Sequence, residues 1–228
     1  SFDQVMEKGA VALSPREFEA VASETDALIL DVRDKATFGK GFIPNSIFIG
    51  LDGSFAPWGG ALIVDLMQPI LLVAPAGREE ETVKRLARVG YDNSIGYLQG
   101  GFEAWAAQGR EIDCIETIDV PTFVQQYTLD NSLPILDVRK PGEWSGEHIE
   151  CAQHFALDYI NAFMGEIQPD QHYYLHSRFG YRSTVAASIL KARGFQHLIN
   201  VQGAFTDIVK STIPTTTFAC PSIKAAEA

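Results

Sequence analysis

Apolar residues in this chain gather in short runs, separated by longer segments in which they recur every three or four positions. Residues 27–30, 70–73, 135–136 and 173–175 are the short runs. They are too brief for buried helices and predict interior strands of a sheet covered on both faces. Between them lie segments with helical periodicity. The clearest covers residues 183–193, with Val185, Ala186, Ile189 and Leu190 on one face and Gly194 placed to end it. Ser14-Pro15-Arg16-Glu17 reads as a capping box with proline at the first helical position. Strand and helix alternating in this way predict an α/β fold, a mostly parallel sheet flanked by helices on both faces.

The pattern occurs twice. LILDVRDKATFGKGFIPNS, from Leu28 to Ser46, matches PILDVRKPGEWSGEHIECA, from Pro134 to Ala152, at an offset of 106. ILLVAPAGREEETVKRLARVGY then matches YYLHSRFGYRSTVAASILKARGF at an offset of 104, with Arg78 opposite Arg182 and Gly90 opposite Gly194. LQGGFEAW matches VQGAFTDI at 103, setting Gly100 against Gly203 and Phe102 against Phe205. Collinear matches of this kind predict two copies of one fold, here over residues 1–112 and 113–228. Residues 111–122 form the connector. They are not rich in glycine or serine, which predicts domains packed together rather than flexibly tethered.

A length of 228 residues suits two such domains. With 29 acidic and 18 basic side chains the formal charge is −11, which disfavours nucleic acid and anionic membrane as partners. The longest mainly apolar stretch, QPILLVAPA from Gln68 to Ala76, is far below the ~20 residues a bilayer span needs. The N-terminus has no basic-then-apolar signal, so a soluble, cytoplasmic protein is expected. Cys114, Cys151 and Cys220 show no CxxC or Cys/His spacing and read as reduced bystander thiols. His148, His154, His172, His176 and His197 show no metal-binding spacing, so no metal or other cofactor is expected.

The segment richest in chemistry is Leu175-His176-Ser177-Arg178-Phe179-Gly180-Tyr181-Arg182-Ser183, which joins a strand to the 183–193 helix. A loop closing onto a helix N-terminus turns several backbone N–H groups and the positive end of the helix dipole toward one point, forming an anion cradle. Gly180 permits the backbone angles such a cradle needs, and Arg182 supplies a forked cation for a thiosulfonate or similar anion. His176 alternates away from Ser177 if both belong to the strand, so it is expected to pack at the strand end rather than act as a base. Asp31 and Asp137 stand at strand ends, either as catalytic carboxylates or as loop supports; the second role is expected. Trp58 lies in a glycine-flanked loop insertion, Gly53 to Gly60, as an exposed docking surface or as a buried cap on the sheet.

Asp137-Val138-Arg139, Glu143-Trp144, Glu147-His148-Ile149, the loop above and Gly203-Ala204-Phe205 together resemble the motifs of rhodanese domains. The resemblance implies a sulfurtransferase whose loop cysteine accepts a sulfane sulfur from a donor such as thiosulfate or a persulfide and passes it to a thiol or cyanide. It places that cysteine at Ser177, with the anion held by Arg178, Phe179, Gly180, Tyr181, Arg182 and Ser183 and with Asp137 and Arg139 in support. The six residues from Ser177 to Arg182 have the sulfurtransferase loop length; the family's phosphatases use one residue more. A serine hydroxyl cannot carry a persulfide, so the domain is expected to bind without turnover. Two origins of the serine stay open, a natural serine or a cysteine replaced to trap or silence the site.

The 104 offset puts Val73 at the same position in the first copy, in a loop Val73-Ala74-Pro75-Ala76-Gly77-Arg78 followed by Glu79, Glu80 and Glu81. Valine cannot act as a nucleophile and the acidic run repels an anionic donor, so this copy is expected to be structural or to dock a partner. Longer segments, among them FDQVMEKG from Phe2, GLDGSFAPW from Gly50, GGFEAW from Gly100 and YRSTVAAS from Tyr181, are similar to proteins joining a metallo-β-lactamase-fold domain to two rhodanese domains. That likeness implies persulfide or sulfide handling, and the start at Ser1 fits a fragment or a processed chain.

Overall fold

A computed structural model of the chain describes residues 1–218; Cys220 lies outside them. Contacts divide the chain into one unit from Ser1 to Cys114 and a second beginning at Ile115. The first contains α1 (Phe2–Gly9), β1 (Ala12–Leu13), α2 (Pro15–Thr25), β2 (Leu28–Asp31), α3 (Lys35–Lys40) and β3 (Ile47–Phe48). It continues with α4 (Phe55–Leu62), β4 (Ile70–Val73), α5 (Glu79–Arg88), β5 (Ser94–Leu98) and α6 (Gly101–Ala107). The second contains β6 (Glu116–Asp119), α7 (Val120–Leu129), β7 (Ile135–Asp137), α8 (Pro141–Gly146), β8 (His148–Ile149) and β9 (Gln153–His154). There follow α9 (Ile160–Phe163) between two 3-10 turns, β10 (Tyr173–His176), α10 (Tyr181–Ala192), β11 (Leu198–Gln202), α11 (Phe205–Val209) and β12 (Thr215–Thr216).

Each unit is built on a five-stranded parallel sheet. The orders are β1-β5-β4-β2-β3 and β6-β11-β10-β7-β9, the same topology twice. β4 and β10 sit centrally and are buried at every position. An uninterrupted run such as ILLV is stable only where both faces of the sheet are covered. Phe18, Leu71, Val73, Leu98 and Trp105 pack together in the first unit, and Phe123, Ile135, Tyr174, Val201 and Phe205 in the second. β8 and β12 form a small antiparallel pair beside the second sheet. Among the described residues no helix is long and apolar enough to cross a membrane.

The capping box forms as read: Ser14 Oγ accepts the Glu17 N–H, and the Glu17 carboxylate accepts the Ser14 N–H. Three expectations change. α10 begins at Tyr181, two residues earlier than its periodicity suggests, and every residue from Ser183 to Leu190 is buried, not one stripe. Small alanine and serine side chains let its other faces pack, with polar groups satisfied locally, as where the Ser188 hydroxyl donates to the Val185 carbonyl. The 111–122 segment is not all connector, because β6 lies within it and pairs with β11. β6 is a mostly exposed edge strand with a polar sequence, which a search for apolar runs passes over. Trp58 is buried within helix α4 and not in a loop, and the Tyr91 hydroxyl reaches the Gly59 carbonyl of that helix at 3.0 Å.

Candidate functional site

The loops after β4 and β10 rest on a framework present in both units. After β7, Arg139 donates from Nε to Asp137 Oδ1 at 2.9 Å and from Nη2 to Asp137 Oδ2 at 2.6 Å, and Nη2 reaches the Glu147 carbonyl at 2.7 Å. Its guanidinium lies 3.6 Å from the centre of the Phe205 ring. After β2, Arg33 makes the same bonds to Asp31 and to the Gly41 carbonyl, and lies 4.5 Å from Phe102. Both aspartates are fully buried, so they brace their loops and offer no carboxylate to a ligand.

This framework fixes how the two loops correspond. β2 pairs Asp31 with Val73, whereas β7 pairs Asp137 with His176. The Val32 N–H donates to the Val73 carbonyl and the Val138 N–H to the His176 carbonyl. Val73 is therefore the counterpart of His176, and Ala74, not Val73, stands where the second unit has Ser177. Gly77, at φ +81°, matches Gly180, at φ +83°. Glu79 then occupies the place of Arg182, and the Arg78–Arg182 pairing expected from the sequence is displaced by one residue. The indel lies past the loop, in the helix, where Gly90 and Gly194 end α5 and α10.

In the second unit Ser177 follows the last residue of β10 and is buried. Its Oγ accepts the Gly180 N–H at 3.0 Å and donates to Ser183 Oγ at 3.3 Å. Gly180 in the left-handed region turns the chain into α10, which places Tyr181, Arg182 and Ser183 in the first helical turn. The Arg178 carbonyl accepts the Phe205 N–H at 3.0 Å, tying the loop to α11.

Arg182 does not present a free fork to the loop. Its Nη1 and Nη2 bond the two carboxylate oxygens of Glu143 at 2.5 and 2.9 Å. Those bonds hold the Glu143 carboxyl below its ordinary range despite partial burial. A cavity of about 330 Å³ opens beside the loop, lined by Arg139, Glu143, Glu147, Arg178, Phe179, Phe205 and Thr206. Arg178 lies over the exposed Phe179 ring at 5.2 Å. The cavity wall thus mixes two arginines with two glutamates.

His176 is buried, stacks on Phe205 and holds Nε2 3.5 Å from Asp137 Oδ2, facing the framework as strand-end packing requires. Burial pushes its imidazole below 6.5, against the pull of Asp137. Burial alone would raise the Asp137 carboxyl; His176 and the Arg139 guanidinium outweigh it and hold it below the usual carboxylate range. At Asp31, which has Val73 in place of a histidine, burial prevails and the carboxyl is raised.

The first-unit loop is a different site. Pro75 stands where Arg178 does and removes a backbone N–H. Arg78 turns away to Asp52 and Glu81, at 2.8 Å from each. The adjoining cavity, about 400 Å³, is lined by Ala74, Pro75 and Ala76 together with Arg33, Asp34, Glu79 and Glu103. Sequence reasoning missed Glu143 as the partner of Arg182 because the two lie 39 residues apart with no local signal.

The family model for the rhodanese-like domain matches residues 14–108 and 122–211. The chain is 33% identical over 93 residues to "Putative sulfur carrier protein YrkF" of Bacillus subtilis (strain 168), covering 41% of this chain and 50% of that protein. It is 28% identical over 160 residues to "Probable adenylyltransferase/sulfurtransferase MoeZ" of Mycobacterium tuberculosis (strain ATCC 25618 / H37Rv), covering 68% of this chain and 38% of that one. The chain therefore spans about half or less of these curated relatives. A solved thiosulfate sulfurtransferase from Pseudomonas aeruginosa is 18% identical, with 88% of this chain and 44% of that chain covered at a TM-score of 0.40.

Proposed function

Because the chain belongs to the rhodanese-like domain family, matched twice along its length, we propose that its second domain is a sulfurtransferase-type module that binds a sulfane-sulfur anion in the Ser177 loop. The observation that carries this is the buried hydroxyl of Ser177 accepting the Gly180 N–H at the mouth of helix α10, where a negatively charged atom would be stabilised. A thiolate at this position would attack the outer sulfur of thiosulfate, and sulfite would leave with the bonding pair. A hydroxyl cannot hold the transferred sulfur in a form that thiols can take up, so the chain with Ser177 binds and does not turn over.

A second reading, a non-catalytic interaction module, is favoured by one observation: both nucleophile positions, Ala74 and Ser177, lack a thiol. In either reading the first domain is a structural or partner-docking copy. Persulfide as the physiological donor and a metallo-β-lactamase-fold partner domain belong to this proposal on segment resemblance alone. The deciding experiment is thiosulfate sulfurtransfer by the chain and by Ser177→Cys. The serine form is expected to be inactive and the cysteine form active. Turnover by the serine form contradicts binding without turnover at Ser177 and rules out the interaction module; no turnover by a well-folded Ser177→Cys chain contradicts the sulfurtransferase reading and leaves the interaction module.

A further inference from the structure

The Gly180 carbonyl is held by an unusual number of donors. It accepts the Ser183 hydroxyl at 3.1 Å, the Thr184 hydroxyl at 2.7 Å, the Gln202 side-chain amide at 3.1 Å and the Thr184 N–H at 3.3 Å. A carbonyl oxygen has two lone pairs, so this exceeds what satisfying a helix end requires. Gln202 arrives from the end of β11, and its amide also bonds Thr184 Oγ1, which Asn200 reaches in turn. The approach is close enough that a Cβ added at Gly180 would lie 2.2 Å from Gln202 Oε1. Gln202 fills the space that a side chain at position 180 would need.

A trans peptide sends its C=O and N–H to opposite sides. Pinning the Gly180 carbonyl therefore fixes the direction of the Tyr181 N–H at the mouth of α10. The preceding N–H of Gly180 is the one held on Ser177 Oγ. Both peptide groups flanking this glycine are thereby oriented, at a residue whose own torsions resist rotation least. The first domain lacks this packing. A Cβ at Gly77 would meet nothing within 4 Å, and the Thr82 hydroxyl bonds the Arg78 carbonyl instead.

We propose that Gln202 is a positioning residue of the second-domain loop: by pinning the Gly180 carbonyl it aims the backbone N–H groups that stabilise negative charge at position 177. The inference rests on the anion-cradle reading above, and its test separates the two. Ser177→Cys supplies a titratable probe, followed by thiolate absorbance against pH and by the rate of alkylation with iodoacetamide, each taken as the difference from the parent chain with its three native thiols. In that background the introduced thiol is expected to titrate below the ~8.5 of a free cysteine. Adding Gln202→Ala or Thr184→Val is expected to raise its pKa by about one unit, roughly a tenfold loss of thiolate at pH values below the transition. Thr184→Ser keeps the hydroxyl and is expected to keep the lowered value. Melting midpoints measured on the same proteins exclude a role in folding alone: a lowered midpoint with an unmoved thiol pKa in both variants overturns the proposal. An ordinary thiol pKa in the Ser177→Cys chain itself would overturn the cradle on which it stands.

Discussion

Replacing Glu143 with glutamine is expected to tighten anion binding in the second domain. The substitution keeps the size of the side chain and removes the charge that now neutralises Arg182 at 2.5 and 2.9 Å. In the parent chain an anion entering the loop meets an arginine whose charge is already matched, with Glu143 and Glu147 both on the cavity wall. Removing the Glu143 charge relieves a repulsion of roughly 1–2 kcal/mol on each negative charge of an anion about 5 Å from that carboxylate, at effective dielectric constants of about 40–80. That corresponds to a five- to thirtyfold gain in affinity, on the order of tenfold for each 1.4 kcal/mol. The Arg182 and Glu143 side chains are 14% and 29% exposed, a partly buried pair, so the loss of fold stability exceeds that of a surface pair and is roughly 1–3 kcal/mol. Calorimetric titration with sulfate at low ionic strength measures the effect. Repetition near 0.15 M salt, where the screening length is about 8 Å, reduces the gain. Unchanged or weaker sulfate binding by Glu143→Gln would show that the Glu143 carboxylate does not oppose an anion in this loop, and would refute the reasoning.

Two further outcomes follow from the same geometry. Ala74→Cys, at the structural counterpart of Ser177, is expected to stay inactive in thiosulfate sulfurtransfer, because Pro75 removes an N–H from that loop and Glu79 replaces the positive charge of Arg182; sulfur transfer by this single variant would contradict the structural role of the first domain. His176 titrates below 6.5 in the folded chain because it is buried, so as pH falls through 6.5 the unfolded chain takes up the proton first and stability is lost. Urea midpoints at about pH 7.5 and 5.5 are expected to converge in His176→Val, and an unaltered pH dependence would exclude His176 as its source.

The duplication, the α/β class, the central strands and the place of the loop are all legible in the order of residues. Strand runs such as ILLV and the repeated DVR segments encode these locally, because a strand buried on both faces must be apolar throughout and a bidentate Asp–Arg pair needs only two residues of separation. Edge strands β1 and β6 escaped, since exposure relaxes the apolar requirement that makes a strand visible. The register of the loops was decided only in three dimensions. Hydrogen bonding of β4 to β2 and of β10 to β7 sets Val73 against His176 and so assigns Ala74 to the position of Ser177, whereas letter matching followed the arginines and placed the indel before the loop instead of in the helix after it. Tertiary structure alone likewise revealed that Arg182 belongs to Glu143 and Gly180 to Gln202, because the direction of a long side chain depends on what the fold brings beside it and leaves no trace in local spacing.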